Sequence, residues 1–311
     1  MDAVIDVALP VFGIMLAGYL AGRFGILGPA SSAALNAFVY WFALPPLLFM
    51  AMVRAPLEAV LNGPYLAALA GGLLGTFAIA LLVAPFAFPN RFAGLALNGV
   101  SAVFANTGYM GIPLFIAAFG VEGALPALVA TVVNSALVIS LAIVLCELDR
   151  TGGGPLTAAR DVALALVRNP LLVAPALGLA LGAAGLTLPT FAVNFFDLMG
   201  AAAGPCALFA MGLFLVGRPI ATGPGEVMWV TVLKLVVHPL ITWWLAFRVL
   251  DLDFEWARAA VLMAALPTGA LAFVVAQRYG VYTQRASAII LVSTVLSVAT
   301  VSALLVLYGV G

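Results

Sequence analysis

Charge is what this sequence has least of. Twelve basic and twelve acidic residues make up 8% of 311 positions, while 65% are hydrophobic; a soluble domain carries about 25% charged residues to cover its surface. That shortage excludes a water-facing shell and points to an all-α polytopic membrane protein. The charges also cancel, so nucleic acid is not indicated as a partner and the lipid bilayer is. Polar stretches long enough for a separate catalytic domain are missing too, because apolar segments recur from Val4 to Leu307 with short interruptions.

Chemistry-bearing residues are equally sparse. The two cysteines, Cys146 and Cys206, fall inside apolar segments and read as packing residues rather than a disulfide. There is one histidine, and no HExxH, GxSxG or GxxxxGK pattern, which leaves an intramembrane hydrolase or an ATPase without its machinery. No paired carboxylates occur in the apolar core, which disfavours an exchanger built on titrating aspartates. The expectation is therefore not an enzyme, with no cofactor and no metal. The first apolar stretch carries Asp2 and Asp6 in place of a basic n-region and reads as a retained helix.

What is present is a series of apolar runs. At roughly 20 residues per span, helices are expected near 3–22, 31–53, 63–88, 94–119, 124–146, 169–184, 190–217, 226–248, 258–279 and 286–308. Connections after the odd-numbered helices carry Arg23, Arg91, Arg150, Arg160, Arg168, Arg218, Arg278 and Arg285, against Arg54, Arg248 and Arg258 on the other side. The positive-inside rule then puts both termini outside the cytoplasm. The Gly-containing connection 148–168 lies mid-chain and divides it into residues 1–147 and 169–311. Five helices in each half give the halves opposite orientation, an inverted repeat with matching helices 4 and 9.

Those two helices are the ones interrupted. ANTGYMGIPLFIAAFG (Ala105 to Gly120) and AALPTGALAFVVAQRYG (Ala264 to Gly280) hold prolines and glycines where an unbroken helix is expected. A broken helix frees backbone groups that lipid cannot satisfy, so it persists where those groups face protein, a polar cavity or a ligand. Pro113, two residues after Gly111, is expected to split the first helix. Half-helix N-termini would then present amides and partial positive charge to an anion. The candidate substrate-binding residues are Asn106, Thr107, Gly108, Pro113, Asn134, Pro267, Thr268 and Gly269. Asn134 fits either a cavity wall or a tie between helices.

Charged or titratable groups inside apolar helices add Lys234, His238 and Asp197 as candidates for coupling or for structural charge. Lys234 fits a carboxylate partner, a hold on the ends of a broken helix, attraction of an anion, or snorkelling to the interface. His238 fits a proton relay or a structural hydrogen bond. Asp197 fits a partner for the lysine or a proton carrier.

Taken jointly, ANTGYMGIPLFIAAFG and LPTGALAFVVAQRYGV resemble the auxin efflux carrier (AEC) family, which includes the plant PIN-formed auxin exporters and many bacterial carriers. LNAFVYWFALPPLLF (Leu35 to Phe49), RNPLLVAPALGL (Arg168 to Leu179), CALFAMGLFLVG (Cys206 to Gly217) and KLVVHP (Lys234 to Pro239) extend the similarity over nearly the whole chain. The resemblance implies ten transmembrane helices in two inverted five-helix repeats with broken crossover helices 4 and 9, the sodium/proton antiporter-like or bile-acid-symporter-like fold. It also implies an elevator-type motion against a panel of helices 1, 2, 6 and 7, a homodimer through that panel, and residence in a bacterial inner membrane. Pro113, Pro267, Asn106 and Thr268 would surround an organic carboxylate, with Asn134 at a cavity-lining position. The third helix lacks the ionisable residues of the plant exporters, and the short central connection replaces their long hydrophilic loop.

The functional expectation is a secondary active transporter of a small organic carboxylate, an auxin-like monocarboxylate or a malonate- or malate-like dicarboxylate. Sodium and the proton both stay open as coupling ion, a sodium-coupled symporter being one alternative. From another class, the alternative is a non-transporting receptor or scaffold in which the breaks only shape packing.

Overall fold

A computed structural model describes residues 7–149, 155–217 and 223–309. Asp2, Asp6, Arg150 and Arg218 lie outside the described residues. Where the chain is described it is helical throughout apart from turns and one isolated two-residue bridge.

Among the described residues, six helical segments are long and apolar enough to cross a membrane: Pro29–Arg54, Leu57–Ala87, Leu125–Cys146, Thr190–Phe214, Pro224–Val249 and Thr283–Leu307. A seventh forms if Ala159–Val167 and Pro170–Ala183, bent by 65° at Arg168–Asn169, count as one span. The expected ten spans in two inverted sets of five, with crossover helices 4 and 9, are corrected accordingly. The fourth expected span is cut into Phe92–Val103 and Thr107–Phe119, and the ninth into Phe254–Ala264 and Leu271–Tyr279. At 1.5 Å per residue a 12-residue helix reaches about 18 Å, short of a hydrocarbon core of about 30 Å. Leu9–Arg23, with 15 residues, is short by the same measure. The fold is an all-α multi-pass membrane fold with six or seven candidate spans.

Large apolar side chains crowd the outside, among them Phe86 at 89% and Phe191 at 77% exposure. Such a surface suits hydrocarbon rather than water. Between helices, where lipid supplies no hydrophobic drive, close approach of backbones does the holding. A Cβ on Gly18 would overlap the Phe209 carbonyl, and one on Gly212 would overlap that of Met15, so Leu9–Arg23 and Ala203–Phe214 touch through bare backbone. Gly178 and Gly182 likewise bring Pro170–Ala183 close to the carbonyls of Phe49 and Val53 on Leu44–Arg54.

Three prolines sit just past a turn of π-helix, in which an amide reaches back five residues. The Leu44 amide bonds Val39, that of Ile112 bonds Thr107, and that of His238 bonds Leu233, each followed directly by Pro45, Pro113 or Pro239. The slipped ladder loosens the backbone where the proline ring would meet the carbonyl four residues back. Pro113 is thereby absorbed into a continuing helix. The first break lies earlier than expected, at Phe104–Asn106, where the backbone turns extended.

Candidate functional site

The two breaks meet. Ala105 and Thr268 form an antiparallel bridge, in which the Asn106 amide donates to the Pro267 carbonyl at 2.8 Å and the Gly269 amide donates to the Phe104 carbonyl at 2.9 Å. Each interrupted segment so satisfies backbone groups that the other has freed. Gly269 is required by the approach itself, since a Cβ there would press into the Phe104 ring and stand 3.3 Å from the Asn106 Cα.

Side chains lock the bridge from both sides. Thr268 is fully buried; its hydroxyl donates to the Ser101 carbonyl at 2.8 Å and its amide donates to the Ser293 hydroxyl at 3.1 Å. Asn134 Nδ2 donates to the Ala105 carbonyl at 2.9 Å. The sequence suggested that amides at the breaks are free for a ligand, and here the geometry differs: those of Asn106, Thr107, Thr268 and Gly269 are all engaged by protein.

A narrow cavity of about 20 Å³ opens beside the bridge, with Ala105, Thr107, Asn134, His238, Met263 and Ala264 in its wall. Asn134 therefore both lines the cavity and ties its helix to the first break. Asn106, between two wall residues, is buried with its Nδ2 unpartnered among the described residues. The space suits about one water molecule, so admitting an organic ion requires the helices to part. Gly108 lies near Thr131 and Leu44, and Pro113 packs on Gly204, both away from the cavity wall. Pro267 contributes its carbonyl to the bridge.

Behind the wall lies Lys234, with 0% exposure, which excludes snorkelling. Its Nζ donates to the carbonyl of Ala264, the last residue of Phe254–Ala264, and lies 3.0 Å from His238 Nδ1. An N–H donor at a helix C-terminus fills a carbonyl the helix leaves unbonded. Asp197 is elsewhere: its carboxylate pairs with Arg54 at 2.7 Å on the surface, both side chains about half exposed.

Residues 3–305 match the family described as membrane transport protein. The chain belongs to that family. A Rhizobium meliloti (strain 1021) protein named "Putative malonate transporter" is 32% identical over 312 residues, covering 100% of this chain and 98% of that one. An Escherichia coli (strain K12) protein named "Uncharacterized transporter YfdV" is 27% identical over 289 residues, 92% of this chain and 91% of its own. A rice (Oryza sativa subsp. japonica) protein named "Probable auxin efflux carrier component 5c" is 30% identical over 145 residues, 45% of this chain and 39% of its own. This membrane transport protein is thus a carrier of a small solute rather than an enzyme.

One polar cluster of the transporter escaped sequence reasoning. Glu226, 4% exposed, accepts from Asn98 Nδ2 and from the Tyr282 hydroxyl at 2.8 Å each, and pairs with Arg285 at 2.9 Å. Burial, with the Glu226 charge alongside, pushes the Tyr282 phenol well above its usual range, so the hydroxyl stays a donor. An acidic residue in the first turn of a helix is the normal dipole complement, and nothing in the sequence separates Glu226 from that role. The left-handed backbone of Tyr282, at φ 66°, was likewise unreadable.

Proposed function

We propose that this transporter carries a small organic carboxylate, of the malonate type, binding it where the two breaks meet. The observation that carries the reading is the cavity at the bridge, whose polar wall is Thr107, Asn134 and His238 without a carboxylate. Neutral donors suit an anion that must also leave, because each contributes on the order of 1 kcal/mol. The unpartnered Asn106 Nδ2 adds positive potential, and the Lys234 amine lies directly behind Ala264. The malonate named for the Rhizobium relative makes a short dicarboxylate the first substrate to try.

The site would be exposed to the two sides in turn, through opening of the packing around Thr107 and Met263. Purified protein in liposomes, offered labelled malonate, malate and indole acetate, tests the reading. Saturable malonate uptake is expected, falling at least tenfold in Asn106→Ala while substrate-free thermal stability holds. Uptake of none of the three, or an unimpaired Asn106→Ala, would overturn it.

A further inference from the structure

The single lysine of the chain is placed as a structural cap does not require. A carbonyl at a helix end is satisfied by any donor, and a serine or asparagine would do it without bringing charge into the membrane interior. Lys234 is nevertheless fully buried, with no carboxylate within ion-pair distance among the described residues. Elements packed around it bring other ionisable groups, all otherwise engaged. Glu226 and Arg285 pair with each other at 2.9 Å, and Glu255 and Arg258 with each other at 3.1 Å near the start of Phe254–Ala264. Tyr65 donates to the Pro126 carbonyl at 2.8 Å. Among the ionisable groups of the described residues, His238 alone touches the amine.

Both partners of that amine, His238 and Ala264, belong to the cavity wall. The amine is one residue away from any anion bound there. Its contacts also serve two proton states without moving a heavy atom. As an ammonium, Nζ donates to the Ala264 carbonyl and to His238 Nδ1. As a neutral amine, it donates to Ala264 and accepts from a protonated Nδ1, and the 3.0 Å separation fits both.

We propose that Lys234 is the coupling site of this transporter: it takes up one proton when an organic anion occupies the adjacent cavity and releases it when the anion departs, so that anion and proton cross together. The proposal rests on the anion-carrier reading above. The step is a proton transfer alone. A proton from the aqueous side adds to bare Nε2 of His238 as the Nδ1 proton passes to the lone pair of Nζ, so that the Nε2–H and Nζ–H bonds form and the Nδ1–H bond breaks; release runs the same transfers in reverse, with no electron exchanged. Anion and proton favour each other because each supplies the counter-charge the other lacks in a low-dielectric site. By linkage, anion affinity rises as pH falls, by up to tenfold per unit, and levels off once the amine of the empty site is protonated.

The test uses the full-length protein in liposomes containing a pH-sensitive dye, with an inward malonate gradient and protein-free vesicles as control. Internal acidification that tracks malonate entry is expected, together with malonate binding that strengthens at lower pH. Lys234→Gln is expected to abolish the proton signal and flatten the pH dependence, and Lys234→Arg, a permanent cation, to keep binding but flatten it likewise. Malonate uptake without proton movement in the wild type overturns the coupling role and leaves the anion reading standing. A pH dependence that persists in Lys234→Arg also overturns it. The wild-type flux decides even where a variant does not fold, since a structural cap moves no protons.

Discussion

Glu226 and Arg285 form a 2.9 Å ion pair in which the carboxylate is 4% exposed and the guanidinium side chain 37%. The pair joins the start of Pro224–Val232 to the start of Thr283–Leu307, and Asn98 and Tyr282 fasten both to Phe92–Val103. Three helix segments distant in sequence are thus held by one carboxylate. Glu226→Gln keeps the shape and removes the charge, leaving Arg285 without its counter-ion. Breaking a buried pair from one side costs about 3–5 kcal/mol; the partial exposure of Arg285 brings the expectation down to about 2 kcal/mol. Thermal unfolding in detergent should show the loss, and an unchanged midpoint would mean the pair contributes nothing net.

Thr268 makes the second prediction. Its hydroxyl reaches Phe92–Val103 from the second break, through the Ser101 carbonyl. Thr268→Val removes that hydrogen bond at constant volume, at about 1 kcal/mol of stability. Transport should fall more than stability does, about tenfold, because the bridge carries the cavity wall. Thr268→Ser should restore it, and equal rates in valine and serine variants would contradict this.

The all-α membrane class was legible because lipid permits so few structures. The scarcity of charge gave the class, and Pro267 with Gly269 located a break that the structure has at the same residues. The helix count was not legible. Hydropathy averages over a window and carries no record of the extended backbone at Phe104–Asn106, which cuts two short helices from one apolar run. Pro113 misled for a related reason, since a π turn upstream absorbs a proline that the ordinary ladder would reject. The bridging of the Asn106 and Gly269 amides, and the contact of Lys234 with Ala264, join segments roughly 30 to 165 residues apart, and helical periodicity does not report such pairings, whereas the Lys234–His238 contact, four residues apart, follows the helical repeat.

A third prediction concerns the glycine seam. Gly212→Val would drive a branched side chain into the Met15 carbonyl, whereas Gly13, on the same early helix, has open space where its Cβ would be. Gly13→Val should be near neutral. Gly212→Val should destabilise by about 3 kcal/mol and reduce the folded fraction recovered after detergent extraction. Comparable recovery of the two variants would show that the helices separate without cost.

That seam also sets a timetable for biogenesis. Leu9–Arg23 finds its backbone partner only in Ala203–Phe214, roughly 190 residues later, and at about 5–20 residues per second a ribosome takes about 10–40 s to supply it. For that interval the faces of Gly18 and Gly22 stay uncovered, so this seam closes only after most of the chain has been made.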